Sequence, residues 1–362
     1  MVRAISCKQS SMAEHLSVPD HARAVRLWLL IVAAMIFLTL VVGGATRLTQ
    51  SGLSITEWKP VSGVLPPLTD AAWQAEFKAY QAIPQYQRLN SGMSLDAFKV
   101  IFWWEWTHRL LARSVGMVFL LPLLFFLWRG AVPPSLRTRL WAIFGAGAFL
   151  GAVGWWMVSS GLVGSDRVSV SQYRLAFHLT LATAIYAAVL WTARQIAPQP
   201  DNDASARSRP SAVIIAAMIL GQIYLGALVA GSGAGLAYNT WPLIDGSFIP
   251  PGSSLLFLQP AWRNFFENTL TVQFDHRMLA YAIWLAVLVH AYDSKSKSAL
   301  TLAAIASLQV VLGIATLLMQ APLALALTHQ LLAISVFTVA VVHAEHLCHR
   351  PLVATELAGA TT

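Results

Sequence analysis

Four histidines recur in two matched pairs along the chain. His108 stands in Glu105-Trp106-Thr107-His108-Arg109-Leu110-Leu111-Ala112, and His276 in Gln273-Phe274-Asp275-His276-Arg277-Met278-Leu279-Ala280. His178 lies between Phe177 and Leu179-Thr180-Leu181-Ala182, and His329 between Thr328 and Gln330-Leu331-Leu332-Ala333. An imidazole can bind a metal, move a proton or bond a neighbour, so arrangement decides among these roles. All four sit in long apolar segments, one to three turns inside the same edge, and at about 1.5 Å per helical residue they reach a similar depth. Facing imidazoles at one depth can fill both axial positions of a planar iron macrocycle inside a four-helix bundle. Calcium and magnesium want oxygen ligands and structural zinc wants four converging ligands, so paired histidines favour haem. A single intramembrane histidine is ordinarily a packing or interhelical hydrogen-bonding residue. Four in register within matching sequence point to function, one haem site per half.

The elements that must hold them are membrane helices. The chain has 362 residues, 57% hydrophobic and 11% charged, against roughly 25% charged in soluble domains. Apolar stretches long enough to cross a hydrocarbon core about 30 Å thick predict eight spans, at about 25–46, 101–128, 140–162, 173–194, 211–231, 267–291, 299–319 and 323–346. A β-barrel would instead need short alternating segments. The histidine motifs open the second and sixth spans and lie in the fourth and eighth. A looser match relates the exit of the first span, Gly43-Gly44-Ala45-Thr46, to Ala230-Gly231-Ser232-Gly233; each precedes a polar loop with a Trp and a Pro pair, Trp58 with Pro66-Pro67 and Trp241 with Pro250-Pro251. Because each repeat unit has an even number of spans, the copies cross in the same orientation. The fold class expected is all-α integral membrane, with two tandem pseudo-symmetric four-helix bundles. The boundaries are an N-terminal cytoplasmic segment 1–24, a first bundle 25–196 with a long outer loop 48–100, a linker 197–210, a second bundle 211–348 and a cytoplasmic tail 349–362. Within the long loop, Asp70 to Tyr80 has the spacing of an amphipathic helix, and Ser94 to Val100 leads into the second span. Trp58, Trp73, Trp103, Trp104 and Trp106 suit interfacial anchoring.

The net charge of +8 raises nucleic acid as a partner, but the basic residues are scattered among helix ends and form no continuous face. Arg3, Lys8, Arg23, Arg26, Arg129, Arg137, Arg139, Arg194, Arg207, Arg209, Lys295, Lys297 and Arg350 all flank one side of the spans. The short opposite loops carry Arg167, Arg174 and Arg263, which places both termini in the cytoplasm. Cys7 and Cys348 fall on that inner side, where no disulfide is expected. The first apolar segment is too long for a signal-peptide core and reads as retained.

Glu105 precedes His108 by three residues, on nearly the same helix face, within reach of a haem bound there. Its counterpart is Gln273. A carboxylate at this level must be paired or protonated, so Glu105 is either a catalytic group beside the macrocycle or a partner of Arg109 or Arg47. Arg109 and Arg277 directly follow their histidines and Arg47 leaves the first span at the same level. All three either pair with haem propionates or snorkel to lipid phosphates. Asp275 either orients His276 or balances Arg277. His15 and His21 precede the first span, and His290, His343, His346 and His349 gather at inner helix ends, where they read as surface or capping groups.

The run Gly43-Gly44-Ala45-Thr46-Arg47-Leu48-Thr49-Gln50-Ser51-Gly52-Leu53-Ser54, with Thr56-Glu57-Trp58-Lys59-Pro60, resembles the first outer loop of the haem A synthase family. The chain also matches that family in Glu105 to Arg109, in Ala230-Gly231-Ser232-Gly233-Ala234-Gly235-Leu236-Ala237-Tyr238-Asn239-Thr240-Trp241-Pro242, in Asp275-His276-Arg277 and in Thr328-His329-Gln330. The resemblance covers nearly the whole chain. It implies oxidation of the C8 methyl group of haem O to a formyl group, giving haem A for terminal oxidases. It further implies that His276 and His329 hold a resident haem b, that His108 and His178 present the substrate haem O, and that Glu105 is the carboxylate near the reacting methyl. Lacking the outer-loop cysteine pair of some members, the chain looks like the mitochondrial and alphaproteobacterial branch. Partners expected are haem O, haem O synthase, terminal oxidase assembly factors, an electron-transfer partner that no residue identifies, and membrane lipid; a second copy of the chain stays open and nucleic acid is not expected. The location implied is the bacterial cytoplasmic membrane, with haem sites near the periplasmic side. Competing readings are a b-type di-haem electron-transfer cytochrome, which would want histidine pairs near both faces, and a haem transporter, which would want broken helices at midplane.

Overall fold

The computed structural model describes residues 20–196 and 208–349. The expected terminal segments, with Cys7 and His15, and most of the linker lie outside the described residues. Within them, eight helices are long and apolar enough to cross a membrane: α1 (Asp20–Leu48), α2 (Leu95–Trp128), α3 (Pro134–Ser159), α4 (Gln172–Gln195), α5 (Ser208–Ser232), α6 (Thr269–Ser294), α7 (Lys297–Leu318) and α8 (Leu323–Leu347). In lipid every backbone polar group must be satisfied within the segment, and a helix does this alone. Among the described residues there is no strand, only a single bridge between Ile244 and Ser247.

The expected spans coincide with these helices to within a few residues, except at the starts of α2 and α3, which come earlier at Leu95 and Pro134. Helix α2 begins at Leu95 because the Ser94 side chain accepts from the Ala97 N–H at 3.2 Å, satisfying an orphan donor of the first turn. The stretch expected to lead into the span is therefore already its first turns, and the 34 residues of α2 run about 51 Å. That exceeds a hydrocarbon core of about 30 Å. Asp70–Gln81 is helical as its spacing predicts, capped by Thr69 and burying Phe77 and Tyr80. Those two pack with Leu53, Ile55, Ile83, Phe98 and Phe102 into a separate apolar cluster. The long loop is thus a small folded layer on the end of the helices. Trp73 packs edge-on to Phe102, and Trp58 stacks on Trp155 at 5.8 Å, so both rings serve this layer as well as the interface.

Helix α1 packs on α2 and α4, α3 on α2 and α4; α5 packs on α6 and α8, α7 on α6 and α8. Across the halves, α4 meets α5 and α8, and α1 meets α8. Two glycines at matched positions permit the crossings. A Cβ on Gly44 would collide with the Gln330 carboxamide of α8, and one on Gly231 would lie 2.7 Å from Gln172 Cβ of α4. Gln330 Nε2 donates to the Leu40 carbonyl at 2.9 Å, and the Tyr186 and Thr338 hydroxyls bond at 2.9 Å.

One apolar cluster takes side chains from all eight helices, among them Leu29, Leu123, Leu140, Val189, Ile215, Val287, Leu302 and Phe337. Most of its members lie in the half of each helix nearest the α4–α5 linker, with Ile36, Leu40, Ala182 and Ile334 carrying it just past the middle; the other half carries the four histidines beside a smaller cluster of Ala176, Ala227, Leu228, Ala234 and Val272. At the linker end the fully buried Glu345 carboxylate accepts from Arg194 Nε at 2.7 Å and bonds His349 Nδ1 at 2.7 Å. Removing one partner of a buried ion pair is destabilising because the other charge stays buried. Arg194→Met should lower stability by about 3 kcal/mol, read as a lower thermal midpoint in detergent, and adding Glu345→Gln should recover most of the loss.

Candidate functional site

Each of the four histidines lies against a glycine of the preceding long helix. A Cβ on Gly43 would stand 2.8 Å from His108 Nε2, and Cβ atoms on Gly154, Gly226 and Gly313 would stand 3.1, 3.3 and 2.9 Å from Cε1 of His178, His276 and His329. Such distances leave no room for any larger residue without moving the ring. His178, His276 and His329 lie six or seven residues into their helices, and His108 reaches the same level because the first turns of α2 project toward the loop layer. His108 and His178 are close enough to interact electrostatically, as are His276 and His329. The structure thus brings the histidines together in the two pairs that the repeat predicts.

The pairs differ in their surroundings. Gln222 Nε2 donates to the His276 carbonyl at 2.9 Å and lies 3.0 Å from its Nδ1. Gln309 Nε2 donates to the His329 carbonyl at 3.1 Å and lies 3.1 Å from its Nδ1. In the first half the His178 Nδ1 atom is buried without a partner. Sequence reasoning passed over these glutamines, although the signal was present: Gln222-Ile223-Tyr224-Leu225-Gly226 and Gln309-Val310-Val311-Leu312-Gly313 share one frame.

Glu105 is buried and has four donors. Its Oε2 accepts from Ser54 Oγ and the Ile55 N–H, each at 2.8 Å, and its Oε1 accepts from Arg109 Nη2 at 2.6 Å and Nε at 3.1 Å. Of the two pairings that the ion-pair reading of Glu105 left open, the one with Arg109 is present and the one with Arg47 is not. Arg109 also donates to the Ile55 and Glu57 carbonyls at 2.8 and 3.1 Å, and Arg113 to those of Lys59 and Pro60. Arg277 does the same for the second loop, donating to Tyr238, Thr240 and Leu243 carbonyls at 3.1, 2.7 and 3.3 Å. Arg47 donates to the Ala230 carbonyl at 2.9 Å. Arg109, Arg113 and Arg277 clamp loop backbone onto the helix ends, whereas Arg47 ties the end of α1 to α5. Arg47 and Arg277 retain a buried Nε without a partner, whereas every nitrogen of Arg109 is engaged. Asp275 pairs with neither His276 nor Arg277 among the described residues, and Gln273, opposite Glu105 in the repeat, has a buried Oε1 without a donor.

Acidic side chains hold both loops in place. Lys59 bonds Glu57 at 2.8 Å and Glu76 at 2.9 Å, and these carboxylates keep its ammonium pKa above the ordinary value. Glu267 accepts from Arg263 and from the Tyr173 hydroxyl of α4, which hold its carboxyl below the usual range. Two cavities open beside the clamps. One of about 280 Å³ is lined by Ile55, Trp106, Arg109 and Arg113, and one of about 330 Å³ by Pro242, Ile244, Arg277 and Tyr281.

Two of the linker-end histidines, His290 and His343, are not the surface or capping groups that their positions predict. His290 and His343 are buried, with their Nε2 atoms 2.7 Å apart; Ser211 bonds His290 Nδ1 at 2.9 Å and Ser298 bonds His343 Nδ1 at 2.8 Å. Interior burial demands such pairing of every polar atom. Ring nitrogens that bond each other leave no gap for a macrocycle, so this pair does not supply the second-face haem that an electron carrier would want.

Haem fits the loop-end sites by the chemistry of this donor set. Each offers two nitrogen ligands from two helices, glycines that make room at the rings, and buried polar atoms without partners. Residues 26–341 match the family of cytochrome oxidase assembly proteins designated COX15-CtaA. A heme A synthase of Rhodopseudomonas palustris is 57% identical over 336 residues, covering 91% of this chain and 92% of its own length. Another, of Bradyrhizobium diazoefficiens, is 56% identical over 335 residues with the same coverage. The chain therefore belongs to the COX15-CtaA family of cytochrome oxidase assembly proteins.

Proposed function

We propose that this multi-pass membrane protein is a haem A synthase, an oxidoreductase that converts the C8 methyl group of haem O to the formyl group of haem A. The observation that carries this reading is a histidine set against a glycine on each even-numbered helix, with a buried and fully bonded carboxylate, Glu105, one turn from only one of them, in a chain more than half identical to named heme A synthases over nine-tenths of its length. The oxidation removes four electrons from the substrate methyl carbon and adds one oxygen.

In this reading His108 and His178 hold the substrate haem O through its iron, and His276 and His329 hold a resident haem b, which supplies a one-electron redox centre when bound. The physical support is the difference in restraint. The second-half imidazoles are each held by a glutamine amide, as suits a cofactor that stays. The first-half pair lacks such amides, as suits a substrate that arrives and leaves. Two tandem bundles, 25–196 and 211–348, remain the simplest description of the halves, although their apolar core is shared. Glu105 is the acid-base candidate for the substrate half. Four donors hold the carboxylate in one orientation, so its position relative to His108 is set before substrate binds. Arg47 and Arg277, each with an unengaged Nε, are the propionate partners; Arg109 instead positions Glu105 and the loop over it. Haem O reaches the site from a haem O synthase and haem A leaves toward terminal oxidase assembly, in a bacterial inner membrane with the loop end periplasmic and both termini cytoplasmic.

Pigment extraction tests the reading as a whole. The purified protein should carry haem O and haem A together with haem b, whereas haem b alone would make it an electron-transfer cytochrome. Glu105→Gln should leave haem bound yet reduce haem A formation by about 100-fold or more, with haem O accumulating; an active variant would end the catalytic assignment. His276→Ala or His329→Ala should deplete the resident haem b, read as loss of its low-spin absorption bands, because one axial imidazole is gone.

A further inference from the structure

We propose that Gln222 and Gln309 are positioning residues for the resident haem: each fixes its histidine through the backbone carbonyl and accepts the imidazole Nδ1 proton on its own amide oxygen when the other ring nitrogen binds iron. This rests on the reading that His276 and His329 hold a haem b.

Each glutamine lies one turn before the glycine that its histidine packs against, so amide and glycine share one helix face. The amide nitrogens are committed to the His276 and His329 carbonyls at 2.9 and 3.1 Å. That leaves Oε1 of both glutamines buried and without a donor. The same amide nitrogens stand 3.0 and 3.1 Å from Nδ1 and 3.3 and 3.4 Å from Nε2 of those rings, so on iron binding the ring turns Nε2 away from the amide and brings the Nδ1 proton to its oxygen. An imidazole that ligates through Nε2 keeps its proton on Nδ1, and in metal sites that proton goes to a nearby acceptor, which fixes the ring and raises its donor strength. The unused amide oxygen is the acceptor present at each contact. One carboxamide then has both its atoms satisfied by one histidine, which explains why a buried acceptor is left open on two helices at the same place in the repeat.

The first half lacks the arrangement. Four residues before Gly43 stands Thr39, whose hydroxyl donates to the Met35 carbonyl at 2.8 Å, and four before Gly154 stands Leu150. His178 Nδ1 has no partner. The amide clasp therefore separates the retained site from the exchanging one, and it sets the electron density on the retained iron: a hydrogen-bonded imidazole donates more strongly and favours the ferric state.

The test uses the intact protein purified in detergent. Gln222→Leu and Gln309→Leu should each shift the ferric–ferrous equilibrium of the b-type haem toward ferrous by about tenfold, seen as a higher midpoint potential in a redox titration. In the unsubstituted ferric protein, pulsed electron paramagnetic resonance of the remote imidazole nitrogens should give the quadrupole coupling of strongly hydrogen-bonded Nδ1–H, a measurement that does not depend on any variant folding. Unchanged potentials in haem-replete variants, or remote nitrogens with the signature of a free N–H, would overturn the proposal. A preparation whose b-type haem survives His276→Ala and His329→Ala would instead overturn the reading beneath it, and the amide role with it.

Discussion

A membrane bundle that holds a rigid, planar ligand has to be packed and open at once, and this chain divides the two demands by depth. In lipid there is no hydrophobic drive between helices, so they cohere through close packing and interhelical hydrogen bonds. Toward the linker end those requirements are met in full: a core drawn from all eight helices, the Arg194–Glu345 pair and the Ser211–His290–His343–Ser298 chain. Toward the loop end the same helices carry imidazoles set against glycines and contribute few members of that core. The tightly joined end keeps the helices in register at the level of the imidazoles.

The loops close the open end through arginine rather than through apolar packing alone. Arg109 and Arg277 occupy equal positions after their histidines, and each reaches across to the carbonyls of the loop that follows the preceding long helix of its half. A guanidinium is suited to this because its planar fork of donors serves several carbonyls at once. The histidine and the loop over it are thereby fixed to one helix turn, so a shift in the loop is felt at the ligand.

Much of this was legible in the sequence and some was not, for reasons particular residues make plain. The eight helices followed from hydropathy because the length of an apolar run is a property of the run itself. The start of α2 escaped it because Leu95 to Val100 continues the helix on a Ser94 cap, outside the apolar stretch. The histidine pairs could be read from repeated motifs, since each member carries its own context. His290 and His343 could not: nothing local distinguishes a helix-end histidine that faces lipid headgroups from one that faces another histidine. Arg109 reads as a propionate partner from its chemistry, yet backbone carbonyls returning from a loop engage the same donors, and only the fold says where those carbonyls lie. Gln222 and Gln309 were hidden in apolar helices as single polar residues, and their meaning appears only when both are found one turn from the glycine behind an imidazole.

Duplication gives two like sites, and here local changes have made them unlike. The differences here are few and local. Where the first half has Glu105 with four donors, the second has Gln273 with an unused oxygen; where the second has amides on both odd helices, the first has Thr39 and Leu150. A charged carboxylate with its own donors stands in one half, and neutral amides against the histidines stand in the other. Each choice is inexpensive in its own setting. A carboxylate at the edge of the apolar layer is tolerable because Arg109 and the loop supply its donors, and an amide deep in a helix is tolerable because a histidine can engage both its ends. Exchanging the two sets would leave a buried charge without the loop that neutralises it, which is why the acid belongs with the half that carries the long, folded first loop.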